Sequence, residues 1–309
     1  MILTVTLNPS LDLHLFLTEL SLGKVHRSER ELVIPGGKGI NISRVLRIFN
    51  EETFILGFSG GMTGRILEEE LSKRNIPYEF VKINGSVRFA VGIVETNNNR
   101  PMTVINGRGP KIDDNNLLEL KEKFCSLVER SQIVVLSGSI PPSISENIYF
   151  DLMEMSKEYK AIRVLDARGK ALELALKSTP DIIKPNQEEA EELLGYSLNS
   201  RKNLIKAGEY FNKMGIKYAL ISLGERGAIL SFDEGVFWAK MTPLKGYNWG
   251  AGDAFLAGFL VGFKREKDPL YALRLATATA YVKLKKLELE ENDTELIYEL
   301  INDVEIKKI

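Results

Sequence analysis

Short apolar runs rich in β-branched residues alternate along the chain with longer stretches whose apolar positions recur every three or four residues. The runs at 3–7, 53–58, 133–137, 162–165, 181–184 and 218–222 predict buried strands. The stretches at 40–49, 65–74, 114–130, 146–157, 187–194 and 204–214 predict helices with one apolar face. Strands that are apolar on both faces and separated by helices predict a doubly wound, mostly parallel sheet flanked by helices.

Two regions break this rhythm. Residues 11–17 alternate with period two, and residues 25–34 mix polar with apolar positions. Residues 88–95 and 102–105 read as a hairpin joined by Thr96-Asn97-Asn98-Asn99-Arg100-Pro101. With no helices between them, these segments predict a small antiparallel sheet projecting from the core, either a lid over a ligand or a plain edge hairpin. No repeat and no low-complexity linker divides the sequence. The expectation is one α/β domain over 1–309, with a β lid formed from about 11–34 and 87–106.

Composition narrows the functional classes. The 309 residues are 44% hydrophobic and 27% charged, as in ordinary globular proteins. With 41 Lys+Arg against 42 Asp+Glu, the net charge of −1 argues against a general nucleic-acid binder. A single cysteine, Cys125, excludes an intramolecular disulfide framework and a cysteine-based zinc site, and suits a reducing compartment. His14 and His26 lack metal-ligand spacing. The apolar start, 1–7, has no basic region before it and reads as a strand rather than a signal peptide. The apolar stretch 254–263 falls well short of the about 20 residues that span a bilayer. A cytoplasmic protein with no membrane partner is expected.

Several glycine-rich turns carry candidate chemistry. Gly250-Ala251-Gly252-Asp253 runs into an apolar helical stretch. The first amides of a helix lack internal partners and sit at the positive end of its dipole, so small residues there suit an anion such as a transferring phosphoryl group. Asp253 either accepts a proton from an attacking hydroxyl or simply caps the helix. Pro35-Gly36-Gly37-Lys38-Gly39-Ile40-Asn41 opens another helical stretch, with Lys38 as a cation for phosphate and Asn41 as a polar reader, or else forms a turn with a solvated lysine. Lys184-Pro185-Asn186-Gln187-Glu188-Glu189 follows a strand. Asn186 and Glu189 suit either the waters around a magnesium ion or a capping box, and the two roles are compatible.

Ser222-Leu223-Gly224-Glu225-Arg226-Gly227 leaves another strand as a candidate nucleotide contact or a tight turn. Asp12 follows the first strand, where a carboxylate accepts sugar hydroxyls or is merely solvated. Arg88 offers a fork suited to a phosphate monoester, and Ser137-Gly138-Ser139 ends a strand with small donors. Glu68-Glu69-Glu70 and Lys283-Leu284-Lys285-Lys286 read as solvated faces. There is no G-x-x-x-x-G-K-[ST] phosphate loop and no protein-kinase signature set. Two near-matches to the dinucleotide fingerprint place Ile42 and Phe255 where Gly or Ala is wanted, which disfavours a nicotinamide dehydrogenase.

In this order the motifs resemble the ribokinase-like (PfkB-type) carbohydrate kinases over nearly the whole chain. Within that family the segments 6–12, 35–44, 137–141 and 184–186 look like the 1-phosphofructokinase and tagatose-6-phosphate kinase branch, and Ile105-Asn106-Gly107-Arg108-Gly109-Pro110 leans toward the former. The resemblance implies a β-sheet lid, often used for homodimers, and ATP-dependent phosphorylation of a phosphorylated ketohexose with Mg²⁺. It implies that Asp253 is the catalytic base and that Gly250, Ala251 and Gly252 form the anion hole. Asp12, Gly37, Lys38, Asn41, Arg88 and Ser139 would contact the sugar phosphate, with Lys38 and Arg88 holding its existing phosphate. Lys184, Asn186, Ser222, Gly224 and Gly227 would lie on the nucleotide side, and Glu189 would serve the magnesium ion through water. Asn248-Trp249 stands where the family usually has Thr-Val, and Phe89-Ala90 stands where relatives commonly carry Asn.

Overall fold

Apolar strands stacked edge to edge form the centre, and the helical stretches cover both of their faces. The computed structural model describes residues 1–97, 100–244 and 246–309. In chain order, β1 (Ile2–Thr6), β2 (Ser10–Leu17) and β3 (Arg30–Gly36) precede α1 (Lys38–Ile48). Then come β4 (Thr53–Ser59), α2 (Gly61–Lys73), β5 (Tyr78–Lys82), β6 (Arg88–Glu95), β7 (Thr103–Asn106) and α3 (Asp114–Val128). The middle of the chain gives β8 (Ile133–Ser137), α4 (Ile148–Met155), β9 (Ile162–Asp166), α5 (Gly169–Leu176), β10 (Ile182–Ile183), α6 (Gln187–Leu194) and α7 (Arg201–Lys213). The last part gives β11 (Tyr218–Ser222), β12 (Ala228–Phe232), β13 (Gly235–Lys240), α8 (Ala251–Glu266), α9 (Pro269–Lys285), α10 (Asp293–Leu300) and β14 (Glu305–Lys308).

The large sheet has ten strands in the order β14-β13-β12-β11-β10-β9-β8-β1-β4-β5. Strands from β11 to β5 are parallel, and β12, β13 and β14 continue the edge antiparallel. Successive residues of a strand feed opposite layers. Leu3, Val5, Val134 and Leu136 pack with Phe124 of α3, Leu152 of α4 and Phe211 of α7. Ile2, Ile133 and Val135 pack with Leu46 of α1, Phe259 of α8 and Leu273 of α9. Such continuous burial on both faces explains why these strands read as unbroken apolar runs. From β1 the chain builds outward to β4 and β5, then returns to place β8 on the other side of β1. The strand order thus reverses beside β1, and in open α/β sheets the crevice beyond the strand ends at such a point receives ligands.

The smaller sheet has the order β3-β2-β6-β7. The β2–β3 and β6–β7 pairs are antiparallel, but β2 and β6 pair in parallel, so the expectation of an antiparallel sheet is corrected. The reason is topological: β2 leaves β1 and β6 leaves β5, and those two core strands run the same way. The 25–34 segment is strand only from Arg30 onward. The connection expected at 96–101 includes Asn98 and Asn99, which lie outside the described residues. Cross-strand register puts Asp12, Ala90 and Asn106 in one row across β2, β6 and β7. That row lines a cleft of about 1610 Å³ between the small sheet and the large one.

Candidate active site

The turn before α8 is shaped by Gly250, whose φ of 74° lies in the left-handed region that favours glycine. It occupies the helix N-cap position, and the Ala251 amide donates to the Asn248 carbonyl at 3.1 Å. The amides of Gly252 and Asp253 then remain without intrahelical partners at the positive end of the helix. Of the three residues expected to form an anion hole, Ala251 thus uses its amide within the turn.

Asp253 is the third residue of α8 and does not cap it. Its Oδ2 instead accepts a 2.8 Å hydrogen bond from Nδ2 of Asn41, far away in sequence on α1. Arg44 Nη1 donates to Asn41 Oδ1 at 3.3 Å, which fixes the orientation of that amide. Asp253 is only 6% exposed. Burial pushes its carboxyl above the ordinary aspartate value, Asp166 adds to this, and Lys38, Lys184 and the Asn41 hydrogen bond act in the opposite sense. A carboxylate that is buried, singly hydrogen-bonded and raised in proton affinity is suited to take a proton.

Beneath it, the fully buried Asp166 at the end of β9 joins two cations. Lys38 Nζ approaches its Oδ1 at 2.9 Å and Lys184 Nζ at 3.4 Å. Glu189 Oε1 lies 4.0 Å from the same Lys38 ammonium. Burial opposes charge on Lys38, but Asp166, Asp253 and Glu189 outweigh it and hold the lysine protonated. Burial likewise opposes ionisation of Asp166, and Lys184 and Lys38 overcome it. Lys38 is therefore grouped with Lys184 and Glu189, whereas Arg88 belongs to a different group.

That second group lies at the inner edge of the small sheet. Asp12 is 2% exposed and accepts from Ser10 Oγ at 2.6 Å. Burial raises its pKa to about 6, against the pull of Ser10, Arg44 and Arg88. Gly36 faces it so closely that a Cβ there would overlap the Asp12 carboxylate, while Gly37, with φ of 111°, caps α1. Arg88 Nη1 donates to Asn106 Oδ1 at 3.2 Å, and its Nε donates to the Asn8 carbonyl at 3.3 Å. Asn8 Nδ2 reaches Ser139 Oγ at 3.2 Å and the Arg108 carbonyl at 3.1 Å, so it joins the Arg88 and Ser139 segments.

At the other end of the cleft, Asn186 and Glu189 form a reciprocal capping box on α6. Ser222 pairs with Asn186 through an isolated bridge, and the turn containing Gly224 and Gly227 continues the wall. Gly227 has φ of 87°, and a Cβ there would overlap the Ala239 carbonyl. One cleft therefore collects Asp12, Gly37, Lys38, Asn41, Arg88, Lys184, Asn186, Ser222, Gly224, Gly227 and the 250–253 turn.

Comparison with known proteins identifies the family. The model of the pfkB family carbohydrate kinases matches residues 6–295. The chain belongs to that family. It is 34% identical to 1-phosphofructokinase of Bacillus subtilis (strain 168), with all of both chains covered. It is 30% identical to tagatose-6-phosphate kinase of a Staphylococcus epidermidis strain, again over the full length of both. Among solved structures, a single-residue mutant of phosphofructokinase-2 from Escherichia coli superposes with a TM-score of 0.89 at 25% identity, covering 97% of this chain and 99% of that one. The protein is thus a sugar phosphate kinase, a phosphotransferase with an alcohol acceptor.

The kinase presents no group of three or more His, Cys, Asp or Glu side chains that would cage a metal among the described residues. What it does present fits a hydrated magnesium ion. Glu189 Oε2 accepts from the Asn186 main-chain amide at 2.9 Å, and Oε1, 4.0 Å from the Lys38 ammonium, would accept from a metal-bound water. Two members of the kinase site were not singled out by sequence. Asp166, at the end of β9, and Asn8, in the connection between β1 and β2, carry no local motif that marks them, although Asn8 falls within the 6–12 segment. Among the described residues no helix is long and apolar enough to cross a membrane.

Proposed function

We propose that the protein transfers the γ-phosphoryl group of ATP to a phosphorylated ketohexose, with fructose 1-phosphate as the preferred acceptor. The observation that carries this reading is Asp253, buried in the first turn of α8 and held by Asn41, beside two free helix amides at the head of a cleft. Asp253 orients the attacking hydroxyl and takes its proton at Oδ1 or Oδ2. The amides of Gly252 and Asp253, presented by the 250–252 turn, and the Lys38 ammonium stabilise charge on the transferred group, since phosphoryl transfer depends mainly on positioning and electrostatics. The grouping of Lys38 with Asp166 and Lys184 supports this position for Lys38 rather than one beside the sugar's own phosphate. Arg88, supported by the Asn8–Ser139 contact, holds that phosphate, and Asp12 with Gly37 and Asn41 receives the sugar hydroxyls.

Lys184, Asn186, Ser222, Gly224 and Gly227 line the nucleotide end. Magnesium, when bound, would neutralise the nucleotide phosphates, and Glu189 would hold one of its waters. The smaller sheet acts as a lid that excludes water. Its outer face carries exposed Val33, Phe89 and Ile105, which suits a second copy of the chain.

The 30% identical tagatose-6-phosphate kinase supports tagatose 6-phosphate as the second acceptor. Parallel kcat/KM measurements with fructose 1-phosphate, tagatose 6-phosphate and fructose 6-phosphate test the reading. The highest value is expected for fructose 1-phosphate, and a higher one for either competitor refutes the preference.

A further inference from the structure

The reading of 283–286 as a solvated face fails at Lys283, which is 7% exposed on α9. Its Nζ donates to the main-chain carbonyls of Trp249 at 2.7 Å and Lys286 at 3.0 Å. Neither partner is a carboxylate. Burying an ammonium group on neutral partners is unfavourable, and a residue kept in that state is expected to serve something other than stability.

Its partners say what that is. Trp249 immediately precedes Gly250, whose left-handed φ of 74° opens the turn presenting the α8 amides. Lys286 is the C-cap of α9. The ammonium therefore ties the approach to the transfer site to the end of a helix packed along α8. The Trp249 ring is steadied from the small sheet by an edge contact with His14, 4.9 Å between centroids. A cavity of about 30 Å³ beside the lysine is lined by Asp12, His14, Asn41, Arg44 and Gly250, so the clamp adjoins the proposed sugar site and Asn41, the hydrogen-bond partner of the proposed base. Arg44 from α1, Asp253 from α8, Glu288 after α9 and His14 from β2 are the charged and titratable groups facing it.

We propose that Lys283 is a positioning residue for phosphoryl transfer: its ammonium group clamps the Trp249–Gly250 peptide and so aims the amides that open α8. This rests on the reading of the 250–253 turn as the transfer site. Small misplacements of such a turn are expensive, since a shift of about 1 Å costs about 10²-fold in rate. Removal of the side chain leaves a compact pocket lined by carbonyl oxygens, which a small cation can re-enter.

The experiment uses the full chain, with kcat and KM for fructose 1-phosphate and ATP and a thermal melt for each variant. Lys283→Met is expected to lower kcat about 10²-fold while KM for the sugar phosphate stays near that of the unmodified protein. Lys283→Ala is expected to lose kcat similarly, and ammonium chloride to restore at least part of it where tetramethylammonium chloride, too large for the pocket, does not. If Lys283→Ala fails to fold, Lys283→Gln, which keeps a donor without the charge, decides by the same kcat comparison. Undiminished kcat in Lys283→Met or Lys283→Gln overturns the proposal. So does a kcat loss that follows the melting temperature and is untouched by ammonium. Absence of ATP-dependent phosphorylation of any of the three sugar phosphates by the unmodified protein would instead refute the functional reading.

Discussion

The proposed sugar contact at Asp12 sets binding against stability, and the conflict has a measurable size. Its carboxyl is 2% exposed and its pKa is raised to about 6 from the usual 3.8, mainly by burial. A group whose folded pKa is raised binds protons more tightly in the folded state. Above about pH 6 the ionised, buried carboxylate therefore weighs against folding, and this penalty is relieved as pH falls from about 6 toward 3.8. At about 1.4 kcal/mol per pH unit the full penalty is about 3 kcal/mol. Asp12→Asn removes the charge and keeps an oxygen to accept from Ser10, whose hydroxyl now donates at 2.6 Å.

The variant should gain up to about 3 kcal/mol at pH 7.5. Unfolding entropies of about 2 cal/mol/K per residue translate that into a rise of roughly 4–5 °C in Tm for 309 residues. The gain should shrink steadily when the melt is repeated at lower pH and be nearly gone at pH 4. The same substitution should raise KM for the sugar phosphate strongly, because a carboxylate acceptor for hydroxyls becomes a neutral amide. The KM of the unmodified protein should likewise climb as pH falls through 6. A variant no more stable than its parent at pH 7.5, or one whose gain is the same at pH 4, would refute the burial argument.

Three other substitutions separate the groups within the cleft. Asp253→Asn keeps the size of the side chain but cannot take a proton, so kcat should fall by about 10²–10⁴-fold with sugar-phosphate binding retained in a direct titration; unchanged kcat removes the assigned role. Arg88→Ala should raise KM for the phosphosugar and leave KM for ATP alone, since its contacts are with Asn8 and Asn106 at the small sheet; an effect confined to ATP would contradict its position. Asp166→Ala leaves Lys38 and Lys184 facing each other without their shared carboxylate, and breaking a buried pair of this kind typically costs about 3–5 kcal/mol, which a denaturant titration would read directly.

Sequence periodicity located the central strands well because burial on both faces leaves little polar interruption, and β8 and β11 begin and end at the expected residues. It passed over α9, whose buried residues, such as Ala272, Leu275, Ala276 and Thr279, wrap most of the helix and blur the one-sided stripe. It also passed over the β12–β13 hairpin, where two short apolar runs are divided only by Asp233-Glu234. The parallel pairing of β2 with β6 could not be read locally, because strand direction is inherited from β1 and β5.

Among site residues, the glycine turns were legible because a tight turn at a strand end imposes its own composition. Asp166 was not, since its significance lies in lysines contributed from 128 residues before it on α1 and from the next strand along the sheet. Lys283 was misread for a related reason. It sits in a run of lysines, and only the fold shows that one of them turns inward.

The same long-range assembly explains why the candidate base is Asp253 and not a cap. At the third position of α8 its carboxylate makes no capping hydrogen bond, so the first amides stay available to an anion while the side chain is free for another task. The acceptor for that role is set by Asn41, which brings the first turn of α1 against the first turn of α8. Two helix N-termini thus converge on one point at the sheet's switch, and both concentrate positive potential there. Asp166 offsets the ammonium groups of Lys38 and Lys184 from below, so the upper side of the cleft keeps a cationic surface without stranding two buried lysines. An unpaired carboxylate such as Asp253 is tolerable in so buried a place only because Lys38 and these dipoles surround it. Burial raises its proton affinity, and Lys38, Lys184 and the Asn41 hydrogen bond pull in the opposite sense.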